Sequence, residues 1–322
     1  MSAADARSVL EQFRSVADTF SPFVYHEVTA HPDFVTLLEQ CREFSNDPEA
    51  TWDTLATNGY GVARAAEPEG MLRRLRDFGM DRLSFTLHGL ELHHDWFVCR
   101  RGAYEDIWEA ARLCDQVGLA KYFNIFLDRR NVANLGPLLE QTGAAGANTG
   151  REAGVSVSVP AFVANHRSHI YEETLRPRLS DLEPVRHHLE ERWGGLLEQY
   201  TEAFLTARML DSCDTSHPTE KSSPGREVAR LVVDGAFDVY EKPWLFEHGL
   251  VKLGNLKTDG LSAVLDRYAA RKPPSYPDVA DLARRYGDPE STLVHRRAAS
   301  LHTKWIARWL AEQGLSDSAG LH

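Results

Sequence analysis

Apolar residues recur along the first half of the chain with two periods, one helical and one extended, that replace each other in turn. Over residues 3–19, Val9, Leu10, Phe13, Val16 and Ala17 fall at helical spacing with Phe20 just beyond, and predict an amphipathic helix. A short strand is expected over 22–27. A helix opens near His31-Pro32-Asp33-Phe34, where proline just inside the start loses no intrahelical bond. A strand over 51–58 is ended by Asn58-Gly59, and a helix over 63–79 is closed by Gly79. Strand 82–88, helix 103–117, strand 122–127, helix 132–142 and strand 154–159 follow.

Strict alternation with short links over about 160 residues predicts an α/β fold with a parallel sheet, doubly wound or curled into a barrel. Chemistry in such folds sits at the C-terminal ends of the strands. Those ends carry His26-Glu27, Thr57-Asn58, Thr86 to His88 and Asp128-Arg129, all polar. Beyond residue 160 the pattern changes. Residues 180–210 read as helical, 211–226 as a Ser/Pro/Gly linker, 231–240 as a hairpin with an Asp-Gly turn, and 259–271 and 276–314 as helices. The expected organisation is a barrel core over 1–165, a helical segment and linker over 166–226, a hairpin region over 227–271 and C-terminal helices over 272–322.

Composition narrows the class. With 43% hydrophobic and 26% charged residues the chain has the balance of a soluble globular protein. A net charge of -11 without a Lys/Arg stripe argues against a nucleic-acid partner, since phosphate neutralisation needs clustered cations. No apolar run reaches the ~20 residues of a membrane span, and Met1 to Phe13 lacks the layout of a signal peptide, so a cytoplasmic location is expected. The four cysteines, Cys41, Cys99, Cys114 and Cys213, stand singly, with no C-x2-C or C-x3-C spacing. They suggest neither a disulfide framework nor an iron–sulfur cluster.

Six short words in order then point to a family. Tyr25-His26-Glu27-Val28-Thr29-Ala30-His31-Pro32-Asp33-Phe34 is similar to the G-G-E-P-x-x-H-P-D-F stretch of radical S-adenosylmethionine (radical SAM) enzymes, with the glycines and first proline replaced. Thr57-Asn58-Gly59 resembles the TNG that ends their third strand, and Ser84 to Gly89 the S-L-D-G end of the fourth, with His88 in place of aspartate. His94-Asp95 with Gly102-Ala103-Tyr104 resembles the HD…GSF segment. Leu231 to Tyr240 with Leu253-Gly254-Asn255-Leu256 resembles the SPASM extension, its Pro-Cys replaced by Glu241-Lys242. The likeness covers roughly residues 3–270. It implies a partial (β/α) TIM-like barrel of radical SAM type with a C-terminal helical and β-hairpin extension. The first strand, the C-x3-C-x2-C loop and the SPASM cysteines of that pattern are missing, so no iron–sulfur cluster is expected, and S-adenosylmethionine binding is expected to be weak or absent.

The candidate site follows from both readings. The resemblance gives Glu27 the role of holding the methionine amino group of S-adenosylmethionine. A carboxylate at a strand end equally suits the α-amino group of an amino-acid or peptide substrate, or a structural ion pair. His26, Glu27 and His88 together have the composition of an iron or zinc site, and are the candidate catalytic and metal residues; ordinary hydrogen-bonded histidines are the plainer reading. Ser84, Thr86 and His88 share one strand parity and Asn124 and Asp128 another on the next strand. With Asn58 and Arg129, whose guanidinium suits a carboxylate or phosphate, they form the candidate substrate-binding set. His93, His94, His166 and His169 are expected to be loop histidines, and Trp244, Trp305 and Trp309 to pack.

Three functions follow. The chain is a repurposed biosynthetic enzyme for an amino acid or peptide, with or without a bound iron or zinc; a pseudoenzyme or scaffold; or a true radical enzyme whose chain continues upstream of Met1. An edge strand at 22–27 without its neighbour predicts a homodimer, a partner protein, or the C-terminal helices as cover.

Overall fold

The predicted alternation is realised in a four-stranded sheet of β1 (Thr54–Thr57), β2 (Arg82–Leu87), β3 (Ala120–Phe126) and β4 (Gly154–Ser158), parallel throughout and ordered β1-β2-β3-β4. This computed structural model describes residues 1–24, 27–146, 154–159, 174–211, 231–241, 251–271 and 277–313. The chain divides into two compact units, Met1–Leu127 with Asn131–Ser158, and Asp128–Arg130 with Val159–His322.

In the first unit the helices are α1 (Ala3–Arg14), α2 (Phe34–Phe44), α3 (Tyr60–Ala63), α4 (Pro68–Phe78), α5 (Glu91–Phe97), α6 (Ala103–Val117) and α7 (Leu135–Ala144). The single helix expected over 63–79 is two, because Pro68 opens α4 at the position where a missing N–H costs nothing. One face of the sheet is apolar. Leu83, Phe85, Leu87, Phe123 and Ile125 are wholly buried, and Phe85 and Trp108 of α6 both pack on Phe123 at 5.6 and 5.3 Å between ring centres. Residues of the other parity, Ser84, Thr86, Asn124 and Ser156, form the polar face. Asn124 Nδ2 donates to Ser84 Oγ at 2.8 Å and Ser156 Oγ donates to Asn124 Oδ1 at 2.8 Å, which ties three strands by their side chains.

The strand expected over 22–27 does not form among the described residues. Residues 21–24 belong to no strand, and Glu27 leads directly into a short 3-10 turn, Val28–Ala30. Pro22 has no amide with which to join a ladder. Among the described residues the edge of the sheet is therefore β1, which pairs with β2 and leaves Thr54 and Ala56 exposed.

The second unit contains α8 (Leu179–Leu182), α9 (Arg186–Trp193), α10 (Glu202–Asp211), an antiparallel sheet of β5 (Leu231–Val233), β6 (Asp238–Glu241) and β7 (Val251–Asn255), then α11 (Gly260–Ala270), α12 (Val279–Tyr286) and α13 (Ala298–Glu312). The hairpin is where its pattern puts it, but its left-handed residue is Phe237, at φ 68°, not Gly235. Asp234 Oδ1 accepts from the amides of Ala236 and Asp238, at 2.9 and 3.0 Å, and turns the chain over four residues. Asn255 holds the same turn, donating to Ala236 O and Asp238 Oδ1 at 2.8 and 2.7 Å. The long helix expected over 276–314 is broken between α12 and α13, where Gly287-Asp288-Pro289 ends one helix. The released residues run extended: Val294 N donates to Pro177 O, Glu202 N to Leu293 O and His295 N to Tyr200 O, at 2.8 to 2.9 Å. Leu205, Leu282, Leu301, Trp305 and Ile306 form the apolar core of this region.

Candidate functional site

A cavity of about 570 Å³ runs along β1 and the loop that carries Glu27. Its polar lining is Glu27, Thr51, Thr54, Thr57, Asn58 and Thr86; Phe23, Val24, Leu38, Trp52, Leu55 and Met80 supply most of the apolar wall. This volume is that of a small-molecule site.

Glu27 is held by its neighbours. Thr57 Oγ1 donates to Glu27 Oε1 at 2.9 Å, Thr29 Oγ1 donates to the same oxygen, and the Asn58 amide donates to Oε2. Thr57 in turn accepts the Gly59 amide at 3.0 Å, and Asn58 Oδ1 accepts the Tyr60 amide at 2.9 Å, so the strand end and the start of α3 form one hydrogen-bonded unit. Gly59 is left-handed at φ 80°, and a Cβ there would lie 2.8 Å from Asp106 O, so α6 packs on bare backbone. Gly61 meets the loop in the same way: a Cβ there would overlap the Thr29 carbonyl. Among the described residues no lysine or arginine pairs with Glu27, and it is the single ionisable side chain lining the cavity. A carboxylate accepts about four hydrogen bonds, so the three present leave capacity for a ligand donor.

His88 lies elsewhere in chemical character. Its ring stacks on Phe97 at 4.0 Å and 13° and packs against Phe126 at 5.6 Å. Its backbone amide donates to Nδ1 of buried His94 at 3.1 Å. Burial, reinforced by the neighbouring His94 and His93, pushes the His88 imidazole down to about 3; burial likewise holds His94 at about 4. His88 is thus neutral at physiological pH. Asn131, wholly buried and not singled out by the sequence, donates to His88 O at 2.7 Å and Phe126 O at 2.8 Å, fastening the ends of β2 and β3. Asp95 of the His94-Asp95 word accepts from the amides of Gly102 and Tyr104, at 2.5 and 2.9 Å, and so seats the start of α6.

The remaining candidates are placed as follows. Thr86 and Asn58 line the cavity with Glu27. Ser84 and Asn124 spend hydrogen bonds on each other. Asp128 and Arg129 belong to the second unit, where the Arg130 amide donates to Asp128 Oδ1 at 2.7 Å and Arg129 pairs with Asp181 at 3.0 Å. His26, His166, His169, Cys213 and Trp244 lie outside the described residues.

A radical SAM fold implies a cluster and its cofactor, and the donor set answers differently for each. Among the described residues no group of three or more His, Cys, Asp or Glu is placed to hold a metal. Cys41 and Cys114 are buried, and burial pushes their thiols up to about 11 and about 12, against the thiolate form a cluster needs. These cysteines do not fit an iron–sulfur cluster. The Glu27 carboxylate, with acceptor capacity left, does fit the ammonium of an amino-acid-like ligand. Among the described residues no helix is long and apolar enough to cross a membrane.

No protein-family model matches the chain, and no curated protein matches it. Solved structures do. Histidine-tagged anSMEcpe with bound AdoMet is 13% identical, with a TM-score of 0.51 over 97% of this chain and 85% of that chain. Native anSMEcpe with bound AdoMet is 12% identical, with a TM-score of 0.49 over 99% and 90%. anSMEcpe is a SPASM-type radical SAM enzyme. At such identities the likeness speaks to architecture alone, and with the parallel sheet described above the chain has an α/β fold of the radical SAM type.

Proposed function

We propose that this radical-SAM-like protein works without an iron–sulfur cluster and binds the amino group of an amino acid or peptide in the β1 cavity, with Glu27 as the anionic anchor. One observation carries the reading: a carboxylate fixed by Thr29, Thr57 and the Asn58 amide lines a cavity of about 570 Å³, and no cation among the described residues neutralises it. An ammonium group would complete its hydrogen bonds and its charge together. Four singly spaced cysteines, two with thiols held protonated by burial, argue against radical chemistry in the chain as given. AdoMet, the ligand named for anSMEcpe, itself ends in an α-amino acid and belongs among the probes.

The repurposed enzyme and the scaffold differ in what they ask of this cavity. Acid–base chemistry needs a proton donor or acceptor besides the anchor, and the candidate for it is His26, next to Glu27 in the chain and outside the described residues. The scaffold asks only that the cavity hold an amino ligand and present it to a partner chain.

The test is calorimetry with AdoMet, the common amino acids and short peptides, each also in N-acetylated form. Ligands that bind should need the free amino group and lose at least about tenfold in affinity in Glu27→Gln, as expected for one hydrogen bond to a charged group. Binding indifferent to acetylation, or to Glu27→Gln in a variant of unchanged circular dichroism, overturns the reading. Ligand turnover by the purified chain would decide for the enzyme over the scaffold.

A further inference from the structure

The second unit has a cavity of its own, about 320 Å³, lined by Arg208 of α10 and by Arg296 and Arg297 just before α13. No carboxylate lines it, and none of the three guanidiniums has an ion-pair partner among the described residues. The contrast within the same unit is Arg186, gripped by Glu183, Glu190 and Glu198. Three like charges around one hollow repel each other, and in a chain of net charge -11 there is no shortage of acids to neutralise them.

The frame that gathers these arginines is rigid. Glu202, at the start of α10, is almost fully buried and accepts from Ser291 Oγ at 3.2 Å and Lys304 Nζ at 3.1 Å, with His295 Nε2 at 3.6 Å. The Ala203 amide donates to Ser291 O at 3.2 Å, alongside the backbone bonds of Leu293 and His295. The backbone positions of Arg208 on one side and of Arg296-Arg297 on the other are thus set by this frame. Arg208 and Arg297 are exposed, so a ligand reaches them from solvent. Phe204, 42% exposed, stands in the same wall.

We propose that this hollow binds a phosphoryl-bearing small molecule, its phosphate held by Arg208, Arg296 and Arg297 and an aromatic body resting on Phe204. Guanidinium forks match phosphate oxygens two at a time, and the first-turn amides of α13 begin at the next residue, Ala298. This site is independent of the Glu27 cavity.

Calorimetry with inorganic phosphate, phenyl phosphate, pyrophosphate and citrate tests it. Phenyl phosphate should bind saturably at one site per chain and more tightly than inorganic phosphate, and Phe204→Ala should remove that difference. Arg208→Ala and Arg297→Ala, both at exposed positions, should each weaken phosphate-ester binding about 10- to 100-fold, the range for a hydrogen bond to a charged group. Arg74→Ala in the first unit should change nothing. Citrate binding as tight as pyrophosphate would overturn the phosphoryl assignment. Binding that does not saturate, or that survives both arginine substitutions, would overturn the site.

Discussion

The pair His88 and His94 makes a sharp prediction about acid. Both imidazoles sit far below the ordinary value of 6.5, His88 at about 3 and His94 at about 4, because burial disfavours their charged forms. A folded pKa below the unfolded one means that the unfolded chain takes up protons first. Stability is therefore fully present above about 6.5 and is lost as pH falls from there toward about 3 to 4. Near pH 5 both rings are still neutral in the fold, so the cost is set by the unfolded value and amounts to about 2 kcal/mol per histidine. His88→Phe isolates one share of it. Phenylalanine keeps the stack on Phe97 and Phe126, cannot titrate, and leaves the backbone amide of residue 88 to donate to His94. Urea unfolding at about pH 7.5 and about pH 5, with peptide-level hydrogen exchange over β2 and α5, should show the wild type losing about 2 kcal/mol more than His88→Phe. Equal losses in the two proteins would refute the claim that His88 is held neutral in the fold.

Three further outcomes are expected. Glu202→Gln should destabilise the second unit by about 3 kcal/mol at neutral pH, since contacts with His295 and Lys304 outweigh burial and hold the carboxyl down at about 2. That deficit should shrink as pH falls from the ordinary carboxylate value toward about 2, as read by the fluorescence of buried Trp305; a deficit unchanged near pH 3 would contradict it. Thr57→Val should cost about 1–3 kcal/mol, because it strips a donor from Glu27 and an acceptor from the Gly59 amide at a buried position, and should weaken amino-ligand binding as well. Gly61→Ala, outside the cavity lining, should lower the melting temperature and reduce ligand affinity together, because its methyl displaces the Thr29 backbone; an unchanged affinity would mean that the Glu27 loop is not held by α3.

The parallel sheet was legible because β2, β3 and β4 each carry one apolar and one polar parity, and Gly79 and Gly118 stop their helices in the left-handed conformation. Helix α6 was legible to the residue. The strand over 22–27 was misread because its residue types suit an extended chain, whereas ladder membership depends on a neighbour the sequence does not display. The break between α12 and α13 had its signal in Gly287-Asp288-Pro289, overridden by helical periodicity on either side. Glu27 was found through its position at a strand end, but Thr29 was not, since a hydroxyl two residues along in a turn has no periodic signature. Asn131 was missed for the same reason. The arginine-lined hollow joins residues some 90 positions apart, and only the fold brings Arg208 to Arg296 and Arg297.

The tight seat of Thr29 against Gly61 separates two properties of the first cavity that usually vary together. The charge it offers is held by the contact of Gly61 with the Thr29 backbone and by the Thr29 and Thr57 hydroxyls behind the loop. The contour it offers is set by Phe23, Val24, Trp52, Leu55, Met80 and Thr86, none of which bonds to the carboxylate. A library confined to those walls would retune the size and shape of the admitted molecule while its requirement for a positive head stayed constant, so selectivity here can drift or be redesigned without relearning how to recognise charge.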